Sequence, residues 1–331
     1  MPPRPATFSI VARDPETDAV GVAVHSKFIS VGSVVPFASA DAGAIATQSF
    51  ANVAYGPDGL DLLREGQSAE AVVEELTAAD GEAPSRQVGI VGRDGSVAAF
   101  TGEECFEYAG DRQGEIYTVQ GNILEGEGTI DAMAEAFEAG SAGGADGTGV
   151  DDERSPDGND GLPERLLAAL RAGNEAGGDR RGEQSAALYV AKPEGGYDGG
   201  NDRWIDVRVD DHDEPIAELE RVFKLYDVTL LERAEPSDLR ELGGETAREV
   251  RATFADLGLY DGSEAGGEDS ERTFGEADRA ALEDLRATNN FENHSAAVLE
   301  DAISRGWSDA EGVGEERLID AVWTGFHTER L

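Results

Sequence analysis

Three side chains near the start of the sequence have types that could do covalent chemistry. Thr7 opens an apolar run, Thr-Phe-Ser-Ile-Val-Ala, and Ser26-Lys27 ends the next one. A hydroxyl at a chain terminus is a special nucleophile, because its own α-amine, with a pKa of about 7.7–8.0, can act as general base near neutral pH. A neighbouring ammonium such as Lys27 depresses that pKa and stabilises developing negative charge. Backbone N–H groups where Ala46-Thr47-Gln48-Ser49 leaves its strand are candidates for an oxyanion hole. Periodicity alone also accommodates Thr7 as an ordinary β-branched strand residue.

Other chemistries find less support. Gly126-Glu-Gly128 carries no Lys-Ser/Thr and reads as a turn, and no Ser elbow of the Gly-x-Ser-x-Gly type is present. His25, His212, His294 and His327 are scattered, so a histidine metal site is not expected. Asp210-Asp211-His212-Asp213-Glu214 resembles a hard-cation cluster. It also falls between a strand and a helix, where carboxylates favour the positive dipole end, and the capping reading is preferred. Cys105 is the lone cysteine, which excludes an internal disulfide and a multi-cysteine metal site. No metal and no cofactor is expected.

The elements that must position Thr7, Ser26 and Lys27 follow from patterning. Strands are expected at 7–12, 20–25, 32–37, 43–49, 87–92, 96–101, 115–120, 184–191 and 204–209. Helices are expected at 58–65, with Pro57 in the first turn, and at 69–79, with Ser68 as N-cap. Further helices are expected near 129–139 and 162–172, and from Asp213 along a face of Ile216, Leu219, Val222, Phe223 and Tyr226. Segment 140–161, rich in glycine and acid, reads as a loop. Antiparallel sheets stacked face to face with helices outside satisfy this order. After Ser237 only helices are expected, at 245–257, 276–288, 295–305 and 314–323. That pattern gives a first domain over 1–230 and a helical domain over 237–331.

Charge sets the class of partner. The 331 residues carry 27 basic and 69 acidic side chains, a net −42, of which residues 237–331 hold 23 acidic against 9 basic. The excess therefore coats both parts of the chain. It argues against nucleic acid and against an anionic membrane surface. Lysine occurs only at 27, 192 and 224. Such repulsion is tolerable where salt is near molar and the Debye length is about 3 Å, which reads as adaptation to a salt-filled cytoplasm. Met1 to Ala6 lacks the apolar core of a secretory signal, and no stretch approaches the roughly 20 apolar residues of a spanning helix, so a soluble, cytoplasmic protein is expected.

Seven short segments together are more specific. Thr7–Asp14, Ser26-Lys27-Phe28, Ala46-Thr47-Gln48, Gln120-Gly121-Asn122, Gly178-Asp-Arg-Arg-Gly182, Gln184-Ser-Ala-Ala187 and Asn201-Asp202-Arg203 resemble the DUF1028 family, in the same order, over about residues 7–227. Gly244–Arg251, Leu257–Tyr260 and Phe274–Leu282 more loosely resemble a peptidoglycan-binding domain. The resemblance implies an α+β fold, an N-terminal-nucleophile (Ntn) hydrolase-like four-layer αββα sandwich, followed by a small α-helical domain. It implies Thr7 as nucleophile, Lys27 as charged neighbour and Ser26 as relay or positioning hydroxyl. Gln48, Ser49, Asn122, Asp179 and Arg180 would contact a small-molecule substrate. Family members often place the Thr directly after the initiator Met, whereas here the terminal-amine mechanism requires cleavage after Ala6. The expected function is a small-molecule amidohydrolase, and the alternative is a non-catalytic ligand-binding protein of the same fold. For the helical domain a packing or oligomerisation role is preferred over murein binding, with Val250, Phe254 and Leu257 as its stripe. Trp307 and Trp323 are read as core anchors.

Overall fold

The computed structural model describes residues 7–140, 161–230, 239–259 and 274–305. The expected helix at 314–323, both of those tryptophans and the acidic loop at 140–161 (all but its two end residues) lie outside them. The chain divides into two compact units, Met1–Gly149 with Asn159–Val222, and Val150–Gly158 with Phe223–Leu331.

The first unit is built on two antiparallel sheets. The strands are β1 (Thr7–Arg13), β2 (Val20–Ser26), β3 (Pro36–Ser39), β4 (Gly43–Ser49), β5 (Arg86–Gly92), β6 (Val97–Thr101), β7 (Gly110–Gln113), β8 (Tyr117–Asn122), β9 (Ser185–Ala191) and β10 (Arg203–Val209). One sheet runs β10-β9-β2-β1-β8-β7 and the other β3-β4-β5-β6. Helices α1 (Tyr55–Arg64) and α2 (Ala69–Ala78) pack on the smaller sheet, and α3 (Gly128–Ala139) and α4 (Leu162–Glu175) on the larger. The sheets meet through β1 against β4 and β5 against β8.

Strand alternation assigns each side chain a face. On β1, Phe8, Ile10 and Ala12 point toward the helices, while Thr7, Ser9 and Val11 point between the sheets. Far from Thr7 that inter-sheet space is apolar, filled by Val11, Val20, Val22, Val24, Ala44, Ala46 and Val91. Near Thr7 it is polar. Alanines on β4 keep side-chain volume small where the sheets approach.

Three local expectations change. The strand expected over 32–37 is a 3-10 turn, Val31–Ser33, followed by β3 from Pro36. Ser30 enters that turn in the left-handed region (φ 55), and a Cβ on Gly32 would lie 2.7 Å from the Ala187 Cβ. Helix α1 begins at Tyr55, ahead of the expected start, with Pro57 still inside its first turn. Strand β7, Gly-Asp-Arg-Gln, has no apolar alternation and was not expected; it pairs at the sheet edge with β8. Ser68 caps α2 as expected, its hydroxyl accepting the Ala71 N–H at 3.4 Å.

Helix α5 (Pro215–Leu230) buries Ile216 and Leu219, and the division between the units falls within it. His212 Nδ1 accepts the Glu214 N–H at 3.0 Å just before it. Among the described residues no group of three His, Cys, Asp or Glu could hold a metal ion. No described helix is long and apolar enough to cross a membrane.

In the second unit, α6 (Gly244–Asp256), α7 (Glu276–Thr288) and α8 (Ala296–Arg305) enclose Val250, Phe254, Phe274, Leu282, Leu285 and Leu299. The stripe of Val250 and Phe254 is therefore used inside the unit, with Leu257 packed at its edge. Glu300 accepts from Arg279 Nε at 2.9 Å and from the Leu242 N–H at 3.1 Å, tying the lead-in of α6 to α8.

Phe137 illustrates the cost of losing a core anchor. Its ring is fully buried on α3, 3.9 Å beneath the Arg165 guanidinium and 5.0 Å from the Tyr117 ring. Phe137→Ala should destabilise the first unit by about 3–5 kcal/mol. Denaturant unfolding checks this, and a loss under about 1 kcal/mol would contradict the packing described.

Candidate active site

Thr7 lies at the N-terminal end of β1 between two partners. It is paired in register with Ser26 on β2 and with Asn122 on β8. Its side chain points between the sheets, and Oγ1 lies 3.1 Å from Ser26 Oγ. Both residues are buried, Thr7 at 3% exposure and Ser26 at 0%.

Next to this hydroxyl pair lies a layer of buried side-chain amides. Gln120 Nε2 donates to Ser9 Oγ at 2.6 Å, and Ser9 Oγ donates to Gln48 Oε1 at 2.7 Å. Gln48 Nε2 donates to Gln87 Oε1 at 2.8 Å, and Asn122 Nδ2 donates to the same oxygen at 3.0 Å. Gln87 Nε2 donates to Gly121 O at 2.8 Å, Gly110 O at 3.0 Å and Thr101 Oγ1 at 3.0 Å. Gln48 and Asn122 also approach the Thr7 carbonyl, at 3.4 and 3.5 Å. Each amide is oriented by its neighbours: flipping Gln87 would set its NH2 against the Gln48 and Asn122 donors, and flipping either of those would set an amide oxygen against Gln87 Oε1.

Of the residues expected at the site, Ser26, Gln48 and Asn122 meet around Thr7. Ser49 stands apart, near Cys105, whose Sγ donates to Arg86 O at 3.3 Å and whose thiol burial pushes above its ordinary pKa. The Thr47 N–H donates to Val35 O at 3.1 Å, so that part of the expected oxyanion hole is already engaged. Sequence reasoning passed over Ser9, Gln87 and Gln120. Their signal was a polar residue at inward positions of otherwise apolar strands.

The backbone beyond two site residues is strained. Ser49, after Gln48, has φ 71, and Ile123, after Asn122, has φ 52. A β-branched residue in the left-handed region is an outlier, and such strain clusters at functional sites.

Asp179 joins the loops around this end. Its carboxylate is buried and accepts the Lys27 N–H (2.9 Å), the Arg181 N–H (2.8 Å) and the Arg181 guanidinium (2.9 Å from Nη2). Asp179 also bridges to Leu124, and the Arg180 N–H donates to Ile123 O at 3.2 Å. Asp179, expected to contact substrate, holds the segments that carry Lys27 and Arg180. Lys27 Nζ donates to Glu183 O at 2.6 Å and Arg180 Nη2 to Glu107 O at 3.0 Å.

His25 occupies the opposite face of β2, its ring 4.7 Å from the Phe8 ring. Among the described residues neither ring nitrogen has a hydrogen-bond partner; Glu183 Oε2 is 3.9 Å from Nε2. Burial pushes the imidazole down to about 4, against the raising effect of Asp179 and with smaller lowering effects of Arg181 and Lys27.

Two predictions follow from this geometry. A Cβ on Gly89 would lie 2.1 Å from Gln120 Oε1, and Gln120 cannot retreat because it is fully buried and bonded to Ser9. Gly89→Ala should cost about 1–3 kcal/mol of stability; an unchanged denaturation midpoint would show that the amide layer tolerates displacement. The neutral His25 is favoured in the folded state, so the unfolded chain binds more protons between its ordinary pKa of 6.5 and about 4. Its contribution is complete above that window and is lost as pH falls through it, by about 3 kcal/mol in total. The wild type should therefore lose stability relative to His25→Leu from pH 6.5 to 4, and parallel curves would count against a buried neutral imidazole.

Residues 7–219 match the family described as "Family of unknown function (DUF1028)". Residues 229–316 match the one described as "Putative peptidoglycan binding domain". Among solved structures, protein SPO2555 from Silicibacter pomeroyi, of the same DUF1028 family, is similar at 32% sequence identity and a TM-score of 0.56, covering 67% of this chain and 89% of that one. No curated protein matches. With a family match over more than half of its length and a solved relative of that family at 32% identity, this chain belongs to the DUF1028 family.

Proposed function

We propose that this protein is an amidohydrolase of the N-terminal-nucleophile type, acting on a small amide or ureido substrate in the cytoplasm, with an αββα sandwich as its scaffold. The observation that carries the reading is the placement of Thr7 at the head of β1, its hydroxyl 3.1 Å from Ser26 Oγ and beside the oriented amide layer. Helices on the outer faces of two stacked antiparallel sheets support the scaffold.

In the intact chain the Thr7 nitrogen is an amide and its side chain is buried. Cleavage after Ala6 would convert that nitrogen to an amine and open the strand end. The freed amine then takes the Thr7 hydroxyl proton as Oγ1 attacks the substrate carbonyl. Ser26 Oγ is placed to hold Oγ1 or relay the proton. The Asn122 carboxamide is the side-chain donor available for the developing oxyanion, with the Lys27 charge as a neighbour. Collapse breaks the substrate C–N bond, the Thr7 α-ammonium returns its proton to the leaving nitrogen, and the ester left on Thr7 is hydrolysed by water to the free acid. Gln48 and Gln87 position Asn122 and do not take part in bond making.

Thr7→Ala and Thr7→Ser, assayed on a panel of small N-acyl amides, test the assignment. Thr7→Ala should lose turnover while keeping its unfolding midpoint, and Thr7→Ser should retain part of it. Turnover that survives in Thr7→Ala would remove Thr7 as nucleophile. Saturable binding without product in the wild type would favour the alternative, a ligand-binding protein of this fold.

A further inference from the structure

The described arginines of this acidic chain are mostly held by carboxylates, as Arg64 is by Asp41, Arg86 by Asp80 and Arg208 by Asp206. Lys27 and Arg180 are among the described cations that are not. Both are exposed, and among the described residues neither has a carboxylate within ion-pair distance. Each is held by a backbone carbonyl instead, Lys27 Nζ on Glu183 O and Arg180 Nη2 on Glu107 O. A carbonyl orients a cation without cancelling its charge. Even the Glu183 carboxylate is turned toward His25.

The two cations also flank the same strand end. Thr7 is paired with Ser26 on one side and Asn122 on the other. Lys27 follows Ser26, and Ile123, which follows Asn122, accepts the Arg180 N–H. Asp179 fixes both segments, and its own charge is met by Arg181, so it is not the counter-ion of either. With 69 acidic side chains to draw on, these two cations beside the candidate nucleophile have no carboxylate partner among the described residues and are open to an anion from elsewhere.

We propose that Lys27 and Arg180 form a carboxylate clamp, and that the substrate is an amide bearing a free carboxylate near the scissile bond, as in an N-acylated amino acid. The proposal rests on the Thr7 reading for the identity of the scissile bond, but not for the binding of the anion. Arg180 presents a planar fork suited to a carboxylate, and Lys27 a point charge. The surrounding acidic surface would reject anions lacking a group to place against the Thr7 end.

Calorimetric titration of the full chain with N-acetyl-L-alanine and with N-acetyl-L-alaninamide, at constant ionic strength, tests this. The two probes differ in a carboxylate against a neutral amide. The acid should bind at least about tenfold more tightly, as expected for charge-assisted hydrogen bonds. Arg180→Gln and Lys27→Gln should each reduce that preference, and the double variant should abolish it. Arg93→Gln removes the same charge at the opposite end of β5 and should leave it intact. Equal binding of both probes, binding of neither, or a preference that survives the double variant would overturn the clamp. Turnover of the same probes separates the two claims. Acid bound selectively but never cleaved removes the hydrolase reading alone, whereas acid and amide cleaved equally well removes the clamp alone.

Discussion

Gln87 Oε1, buried between two sheets, accepts hydrogen bonds from Gln48 at 2.8 Å and Asn122 at 3.0 Å. Much else depends on that shared acceptor. A carboxamide without partners in this setting costs free energy, so its neighbours are constrained to complete it. Gln48 comes from β4, Asn122 from β8 and Gln87 from β5, so one oxygen joins both sheets. It also fixes which way the two donor amides face, and both lie against Thr7. The far end of the same interface is aliphatic, which confines the polar layer to one end of the strands. Gly89 belongs to this arrangement, because only a residue without a Cβ leaves Gln120 its place.

The strands and helices with strong periodicity were legible in the sequence. β4 and α7 occupy their expected residues, and Ser68 caps α2 as its type suggests. β7 was not legible, since Gly-Asp-Arg-Gln has no pattern of its own and takes its place from β8. The turn at Val31–Ser33 was misread as a strand because β-branched residues around Gly32 mimic one, while contact with Ala187 decides the backbone there. At the site, Thr7, Ser26, Gln48 and Asn122 were found through their motifs. Ser9, Gln87 and Gln120 were missed for a physical reason. Alternation puts a polar residue on one face of a strand but does not say whether that face meets water or a second sheet.

Asp179 shows the same limit from the other direction. Its motif marked it as important, yet its buried carboxylate closes a local network with Lys27 and Arg181 and so supports the site indirectly. Charge told a similar story. The net −42 speaks only to broad classes of partner, whereas the structure separates cations paired with neighbouring acids from those, Lys27 and Arg180 among them, that are held by carbonyls. In the second unit the apolar stripe of α6 finds its partners in α7 and α8, so its pattern reflects a core within the unit.

The central claim is that Thr7 works as a chain terminus, its own amine serving as base for the hydroxyl that Ser26 holds. Intact-mass measurement of the wild-type protein, matured at near-molar salt, addresses this most directly. The account predicts a chain whose first residue is Thr7. A protein that hydrolyses amides while its residues ahead of Thr7 remain attached would contradict it.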